Sequence, residues 1–163
     1  MIRTAIITLS DKGSKGERED ESGKIIHEMI TSIGASVHSY EVLPDELPLI
    51  VQALERLSDS GELDLIITTG GTGVGPRDVT PEATRKVIDR ELPGMAEAMR
   101  AESLKKTTHA MISRAVAGIR NQTLIVNLPG SPRAVRENLA VVLPALPHTI
   151  EKIKGDPAEC GSS

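Results

Sequence analysis

The spacing of apolar residues changes between two periods along the chain, and this change predicts the fold. Four apolar runs have the length and the β-branched content of strands. They are residues 3–9, 36–42, 64–69 and 123–128. Each run is followed by apolar residues at the spacing of an amphipathic helix. Strands that alternate with helices predict βαβ units, and therefore a single-domain, three-layer α/β/α sandwich with a mostly parallel sheet.

The helical patterns begin or stop at residues that suit helix ends. The first pattern stops at Gly34, the second stops before Gly61, and Ser131 with Pro132 suits a helix start. The predicted helical stretches are residues 25–33, 47–57, 87–88 with 95–99, 131–143 and 146–153. Met95 and Met99 in the third connection are expected in the core or in a contact between subunits.

The third strand leads into a glycine-rich segment, residues 69–78, which reads Thr-Gly-Gly-Thr-Gly-Val-Gly-Pro-Arg-Asp. Its four glycines remove the Cβ atoms that would keep a bulky anion away from backbone N–H groups. Ordinary strand-to-helix turns are short and need only one such glycine. The segment is not a P-loop, because Pro76 and Arg77 occupy the positions of the required Lys and Ser/Thr. It therefore predicts a different kind of nucleotide or phosphate site. The residues assigned to nucleotide and phosphate are Thr69, Gly70, Gly71, Thr72, Gly73, Gly75 and Arg77.

Polar residues also follow the other three strands, and in open α/β proteins ligands bind at these strand ends. Asp45 follows the second strand, and Asp78 closes the glycine-rich segment. Asp45, Thr80 and Ser131 are all suitable N-caps, so helix capping remains an alternative explanation for Asp45 and Ser131. Asp78 has no capping role if Thr80 caps the next helix. Carboxylates beside a phosphate loop suit Mg²⁺ and phosphate placement better than acid–base work, since a phosphate nucleophile is already anionic.

Composition and charge argue against several classes of function for this protein. The 163 residues form one domain with a net charge of −4, and no Lys/Arg cluster indicates nucleic acid or a membrane surface. The sequence begins directly in a strand, without a pattern typical of a signal peptide or a transmembrane helix. The single cysteine, Cys160, cannot form an intramolecular disulfide. Together these features favour a cytoplasmic protein.

Three separated motifs carry a family resemblance. They are Ser-Asp-Lys-Gly at 10–13 leading to Asp-Glu-Ser-Gly at 20–23, the segment 68–84 around the glycines, and Asn-Leu-Pro-Gly-Ser-Pro at 127–132. In this order they resemble the molybdenum-cofactor proteins of the MogA/MoaB type and the G domain of gephyrin. The resemblance implies a molybdopterin-binding domain over residues 1–154, and residues 155–163 are expected to form a disordered tail.

The resemblance also implies an activity that spacing alone could not supply. Proteins of this kind adenylylate molybdopterin with ATP and Mg²⁺, and they release pyrophosphate. Asp45 and Asp78 match the positions of the family's two critical aspartates and would be catalytic and hold the metal. The residues assigned to the pterin are Ser10, Asp11, Asp20, Ser22, Gly23, Pro129, Gly130 and Ser131.

The same resemblance leaves other functions open for this protein. A MoaB-like member could bind the pterin or a nucleotide without adenylyltransferase activity, although intact Asp45 and Asp78 favour the enzyme. Molybdate insertion of the MoeA kind fits less well, because that family has a different glycine loop and several domains. The resemblance implies that this chain forms a homotrimer and that a downstream molybdate-inserting protein of the MoeA kind is its partner. Neither nucleic acid nor a membrane is expected as a partner.

Overall fold

A computed structural model describes residues 1–157 of the chain. Its centre is a six-stranded sheet with the order β2-β1-β3-β6-β5-β4. The strands are β1 Ile2–Leu9, β2 Ala35–Leu43, β3 Leu65–Thr69, β4 Arg90–Glu91, β5 Ala117–Arg120 and β6 Thr123–Leu128. The four strands β2, β1, β3 and β6 are parallel, whereas β5 and β4 pair antiparallel at one edge. The predicted mostly parallel sheet is confirmed.

Helices cover both faces of this sheet. Their bounds are α1 Asp11–Ser14, α2 Glu21–Thr31, α3 Leu47–Asp59, α4 Thr80–Val87, α5 Pro93–Leu104, α6 Pro132–Val142 and α7 Leu146–Ile153, with 3-10 turns at Thr108–Ile112 and Leu143–Ala145. One core cluster packs α2, α5, α6 and α7 against side chains such as Ile6 and Ile67. A second cluster packs α3 and α4 against Ile7 and Ile66 on the opposite face. The adjacent residues of each strand thus enter different cores, as a sheet covered on both faces requires.

The antiparallel edge was not predicted. β5 is only four residues long and contains Gly118, and β4 has two residues, so neither gives an apolar run. A tight turn joins β5 to β6, and its Asn121 has a φ of 53°, a conformation that Asn tolerates better than most residues.

Met95 and Met99 lie inside the protein, with 8% and 2% of their surface exposed. They pack in the core cluster with α6 and α7, so the core interpretation is confirmed and their proposed role at a subunit surface is wrong. Within residues 1–157, every helix is too short or too polar to span a lipid bilayer.

The start of the predicted tail continues the end of α7. The N–H of Gly155 donates to Lys152 O at 3.0 Å, and the N–H of Asp156 donates to Glu151 O at 3.1 Å. The rest of the predicted disordered segment, from residue 158, lies outside the described residues.

Candidate active site

A cleft of about 700 Å³ opens at the carboxyl ends of β1, β3 and β6. It gathers residues from four separate loops, as expected where parallel strands end together. The lining residues are Thr8, Leu9, Ser10, Gly13, Arg18, Glu19, Asp20, Glu21, Ser22, Asp45, Thr69, Gly70, Gly71, Asp78, Gly130, Ser131 and Pro132. Both predicted catalytic aspartates are among them.

Two glycines make the sharp bend after β3. Gly70 and Gly71 have φ values of 97° and 68°, in the left-handed region that other residues rarely occupy. A Cβ on Gly70 would overlap Leu9 O, and one on Gly71 would overlap Thr80 Oγ1. Any side chain at either position would therefore displace the loop from the end of the sheet.

Thr80 fixes this bend from the start of α4. Its Oγ1 donates to Gly70 O at 2.9 Å, and its N–H donates to Gly71 O at 3.1 Å. The predicted N-cap role of Thr80 is wrong, because Thr80 is the first residue of α4 and the cap position is Val79. Its hydroxyl serves the glycine loop instead of the helix.

Arg114, which precedes β5, also donates hydrogen bonds to carbonyl groups of the glycine loop. Its backbone N–H donates to Thr72 O at 2.8 Å, and its Nε donates to Gly73 O at 2.7 Å. Four consecutive carbonyl groups, at residues 70–73, are therefore held by Thr80 and Arg114. In a trans peptide the N–H points opposite to the C=O, so the N–H groups of residues 71–74 point away from these partners. Within the described chain these four N–H groups have no protein acceptor, which leaves them available to an anion.

Asp45 has the environment of a ligand-binding carboxylate rather than of a cap. The N-cap of α3 is Glu46, so the capping alternative for Asp45 is wrong. Asp45 Oδ2 accepts from the N–H of Asp11 at 3.2 Å, whereas Oδ1 is buried without a hydrogen-bond partner. Burial raises the pKa of Asp45, and the negative charges of Asp11 and Asp78 raise it further. A cation in the cleft would relieve both effects.

Asp11 links three of the loops. Asp11 Oδ1 accepts from the N–H of Asp45 at 3.0 Å, so the two aspartates bind each other's backbone. Arg77 donates to both carboxylate oxygens of Asp11, at 3.0 and 2.9 Å. These bonds from Arg77 and Asp45 lower the pKa of Asp11. Neither Asp11 nor Arg77 lines the cleft, so Arg77 meets a carboxylate of this chain and not the space predicted for a phosphate.

Asp78 closes the glycine loop and also lines the cleft. Its Oδ2 accepts from the N–H of Gly75 at 2.8 Å, and its N–H donates to Gly75 O at 3.0 Å. A Cβ on Gly73 or Gly75 would lie about 3 Å from the same carboxylate oxygen, at 2.9 and 3.0 Å. These two glycines thus give the Asp78 side chain its room.

The side of the cleft assigned to the pterin is built around Asp20. Its carboxylate caps α2 by accepting from the N–H of Gly23 at 3.0 Å, and it accepts from Thr8 Oγ1 at 2.6 Å and from the Tyr40 hydroxyl. A Cβ on Gly23 would overlap both Asp20 and Tyr40, so the glycine allows this close approach. Ser22 Oγ donates to Gly130 O at 2.7 Å and ties α2 to the loop after β6.

The third motif contains one residue that stabilises the interior of the protein, Asn127, and one that lines the cleft, Ser131. Asn127 is fully buried, and its amide bonds Thr68, Thr84 and the N–H of Val116 inside the protein. Ser131 caps α6 by accepting from the N–H of Ala134 at 3.2 Å, so its capping role is confirmed, and it also lines the cleft.

Not every predicted residue faces the cleft. Thr72, Gly73 and Pro129 line a second cavity of about 420 Å³ that shares Gly130 with the first. Asp11, Gly23, Gly75 and Arg77 line neither cavity. Sequence reasoning missed Arg18, Glu19 and Glu21, which line the cleft just before α2 and at its first residue. Arg18 is the only cation in that lining; its position between two helices in an exposed loop gave no signal in the sequence.

The residues present fit a divalent cation that is shared with phosphate, but they do not form an all-protein metal cage. Among residues 1–157, no group of three or more His, Cys, Asp or Glu side chains is arranged to hold a metal. Five acidic residues line the cleft; Asp45 and Asp78 are the two at the glycine loop, and Asp45 Oδ1 is buried without a hydrogen-bond partner. Mg²⁺ commonly takes one or two carboxylates and completes its shell with substrate phosphates and water.

A glycine loop with unpartnered N–H groups that also contributes Asp78 to a cleft shared with Asp45, at the carboxyl edge of a parallel sheet, is typical of an α/β protein that binds phosphate esters. Over residues 5–148 the chain matches the family described as probable molybdopterin binding domain. The chain therefore belongs to this family, as the three motifs predicted.

Individual relatives agree. A molybdopterin adenylyltransferase from Helicobacter pylori (strain J99) is 45% identical over 157 residues, which span 95% of this chain and 89% of that protein. Gephyrin from Dictyostelium discoideum is 46% identical over 93% of this chain, which corresponds to 22% of gephyrin. The crystal structure of the molybdopterin biosynthesis enzyme MoaB from Thermus thermophilus has a TM-score of 0.90 and 51% identity, and the match covers 98% of this chain and 100% of that one.

Proposed function

We propose that this protein adenylylates molybdopterin with ATP and Mg²⁺, as a step of molybdenum cofactor biosynthesis. One observation carries the proposal: the free N–H groups of residues 71–74 lie in the loop that also brings Asp78 to the cleft, and Asp45 Oδ1 lies against Gly71 of the same loop. The names of the relatives supply the two substrates, since a molybdopterin adenylyltransferase acts on both a pterin and an adenine nucleotide.

The proposed reaction joins two anions. An oxygen of the terminal phosphate of molybdopterin attacks the α-phosphorus of ATP, the bond from this phosphorus to the bridging oxygen breaks, and pyrophosphate leaves. The nucleophile is already anionic, so no side chain needs to remove a proton. The obstacle is charge repulsion and alignment, and positioning with electrostatic stabilisation would supply most of the rate.

Each part of the cleft has a role in this proposal. The N–H groups of residues 71–74 would bind phosphate oxygens of the nucleotide. Asp45 and Asp78 would hold Mg²⁺ together with phosphate oxygens, and its charge would offset the repulsion between the reactants. Ser10, Ser22, Gly130 and Ser131 would form the pterin side, with Asp20 holding α2 in place.

Arg18 extends the proposed site beyond the residues predicted from the motifs. It is the single cation among five acidic residues in the cleft lining, and within the described chain it has no recorded ion pair. Both substrates carry several negative charges, so Arg18 would attract them into an otherwise acidic cleft.

The test is product formation by the purified protein. With ATP, Mg²⁺ and molybdopterin we expect adenylylated pterin and pyrophosphate in equal amounts, detected by mass spectrometry and a pyrophosphate assay. Asp78→Asn should lower turnover by about 10², the scale seen when one preorganised electrostatic group is lost. Glu97→Gln, an exposed residue of α5 outside the cleft, is the control and should retain the wild-type rate. A protein that binds both ligands but forms no product would instead be a MoaB-like binding protein.

We also propose a homotrimer as the assembly and a molybdate-inserting protein of the MoeA kind as the consumer of the product. The support for assembly is an exposed apolar patch formed by Leu104, Met111 and Ile112, which are 44%, 69% and 44% exposed. Apolar side chains in adjacent elements are a frequent mark of a contact between proteins.

A further inference from the structure

Arg114, which belongs to none of the three sequence motifs, makes several hydrogen bonds with the glycine loop. It lies between the 3-10 turn at Thr108–Ile112 and β5, and about a third of its side chain, 36%, is exposed. Besides its bonds to Thr72 O and Gly73 O, its Nη2 donates to Asp78 O at 2.8 Å. Its Nη1 pairs with Glu82 of α4. One residue thus holds both ends of the loop that carries the free N–H groups.

These contacts decide the direction of specific peptide groups. The carbonyl of Thr72 shares a peptide plane with the N–H of Gly73, and the carbonyl of Gly73 shares one with the N–H of Val74. Holding the two carbonyl oxygens therefore aims the two following N–H groups. The bond to Asp78 O fixes the backbone of the residue whose carboxylate enters the cleft.

We propose that Arg114 is a positioning residue for the adenylyl transfer, which its guanidinium supports by aiming the N–H group of residue 74 through Gly73 O and the carboxylate of Asp78 through Asp78 O. The inference rests on the proposed function for its kinetic part only. A lysine at this position would keep the charge and the backbone N–H, but its single ammonium could not donate to Gly73 O, Asp78 O and Glu82 from the planar fork of a guanidinium.

The chain offers a matched control in Arg120. Arg120 also uses its whole guanidinium: Nε and Nη2 donate to Asp59 at 2.9 and 3.0 Å, and Nη1 donates to Val87 O at 2.8 Å. It is 22% exposed, and it lies outside the cleft at the end of β5. Arg114→Lys and Arg120→Lys therefore remove comparable sets of hydrogen bonds at different ends of the molecule.

The first measurement is steady-state kinetics. We expect Arg114→Lys to lower kcat about tenfold and to raise the Mg²⁺ concentration for half-maximal rate by a similar factor, less than the loss of a donor that binds substrate directly. Arg120→Lys should leave both quantities within twofold of wild type, although both variants lower the melting temperature. In an Asp78→Asn background, Arg114→Lys should have less than a threefold further effect, because the two changes act on one unit. Kinetics of Arg114→Lys equal to those of Arg120→Lys would overturn the inference.

The second measurement does not depend on catalysis. Amide hydrogen exchange at Gly75 and Asp78, whose N–H groups are hydrogen-bonded within the loop, should be at least about fivefold faster in Arg114→Lys than in wild type or Arg120→Lys. Unchanged exchange would also overturn the inference. If the wild-type protein forms no adenylylated pterin, the proposed function fails, and the exchange result still decides whether Arg114 holds the loop.

Discussion

Asp45 carries a charge that the fold disfavours. Its raised pKa means that the ionised carboxylate is less stable in the folded protein than in the unfolded chain, because of burial and of Asp11 and Asp78. This cost begins as pH rises through the ordinary pKa of an aspartate and is complete once pH exceeds the raised pKa of Asp45. A carboxylate whose ionised form is disfavoured in this way is characteristic of ligand-binding sites.

The first prediction concerns this conflict. Asp45→Asn removes the buried charge but retains an acceptor for the N–H of Asp11, so the melting temperature at pH 7 should stay the same or rise. Turnover should fall by about 10², because a hard anionic oxygen is lost from the metal and phosphate site. Thermal melts with and without Mg²⁺, run beside the kinetics, separate the two effects. A large loss of stability with normal turnover would mean that Asp45 serves the fold and not the reaction.

The second prediction concerns Asp11. The sequence assigned it to the pterin, whereas in the structure its carboxylate binds Arg77 and the N–H of Asp45. Asp11→Asn breaks the paired contact with Arg77, whose side chain is 59% exposed, so the melting temperature should change little. We expect kcat to fall about tenfold through misplacement of Asp45, with an unchanged KM for molybdopterin. A selective rise in that KM would restore Asp11 to the pterin site. Lys12→Gln, an exposed neighbour in α1, is the control.

For single residues, the sequence predicts which side chains lie near the site better than it predicts the hydrogen bonds that they make. Asp45 and Asp78 could be chosen because each lies in a polar loop at a strand end. Whether Asp45 or Thr80 capped a helix could not be decided, since a shift of one residue in the helix start changes the hydroxyl of Thr80 from a cap into a partner of Gly70. Arg114 is 36 residues from Asp78, and only the folded position of the segment before β5 brings them together.

Among the elements, those with a continuous apolar pattern were predicted well. The four parallel strands lie within one residue of the predicted runs. β1, β3 and β6 are largely buried and rich in Ile, Leu and Val, whereas β2 is an edge strand that is only partly buried. β4 and β5 are short and carry Arg90, Glu91 and Gly118, so β5 depends on pairing with β6, and β4 on pairing with β5, rather than on local preference. The one-turn helix α1 likewise forms because Ser10 accepts from the N–H of Gly13 at 3.0 Å, which no periodicity could indicate.

A buried carboxylate joins α7 to the beginning of β1, and it gives the third prediction. Asp64 is 1% exposed; burial would raise the pKa of Asp64, but hydrogen bonds from Arg3 and from Lys154 outweigh it and lower that pKa. The contribution to stability is therefore present above the pKa of the unfolded chain, about 4, and is lost as pH falls toward the lower folded value.

Asp64→Asn should lower the free energy of unfolding by about 2 kcal/mol at pH 7, less than for a fully buried pair because both cations are partly exposed. Urea titrations between pH 7 and pH 3 should show this difference shrinking on the acid side. Asp59→Asn is the matched control: the side chain of Asp59 is 46% exposed in its pair with Arg120, so this variant should lower the free energy of unfolding much less than Asp64→Asn does. A difference that is the same at every pH would show that packing, and not charge, makes Asp64 important.

For the whole molecule, the topology explains why distant motifs act together. β1, β3 and β6 are neighbours in the sheet although they are about 60 residues apart in sequence, as the bond from Thr69 Oγ1 to Pro129 O at 2.6 Å illustrates. Parallel order places the loops after these strands at one edge, so the three motifs could be predicted to meet. The shape of the cleft could not, because it depends on side-chain contacts such as Ser22 to Gly130.

For the assembly, the sequence offered Met95 and Met99, which were expected in the core or in a contact between subunits. The helix α5 places both in the core, so they are not available as a subunit contact. The exposed apolar side chains lie further along, at the end of α5 and in the 3-10 turn: Leu104, Met111 and Ile112. Burying this patch between subunits would remove apolar area from water, at about 25 cal/mol per Å².

The last prediction follows from that patch. Light scattering at micromolar concentration should give a mass close to three times the 17.4 kDa of the chain. Met111→Glu should shift the protein toward monomer and lower its melting temperature in a concentration-dependent way, because a buried unpaired charge would oppose association. Leu49→Glu is the control: Leu49 is 38% exposed on α3, which packs on the opposite face of the sheet, so this variant should keep the wild-type mass. A wild-type monomer would refute the trimer, whereas a trimer that Met111→Glu leaves intact would move the contact to another surface.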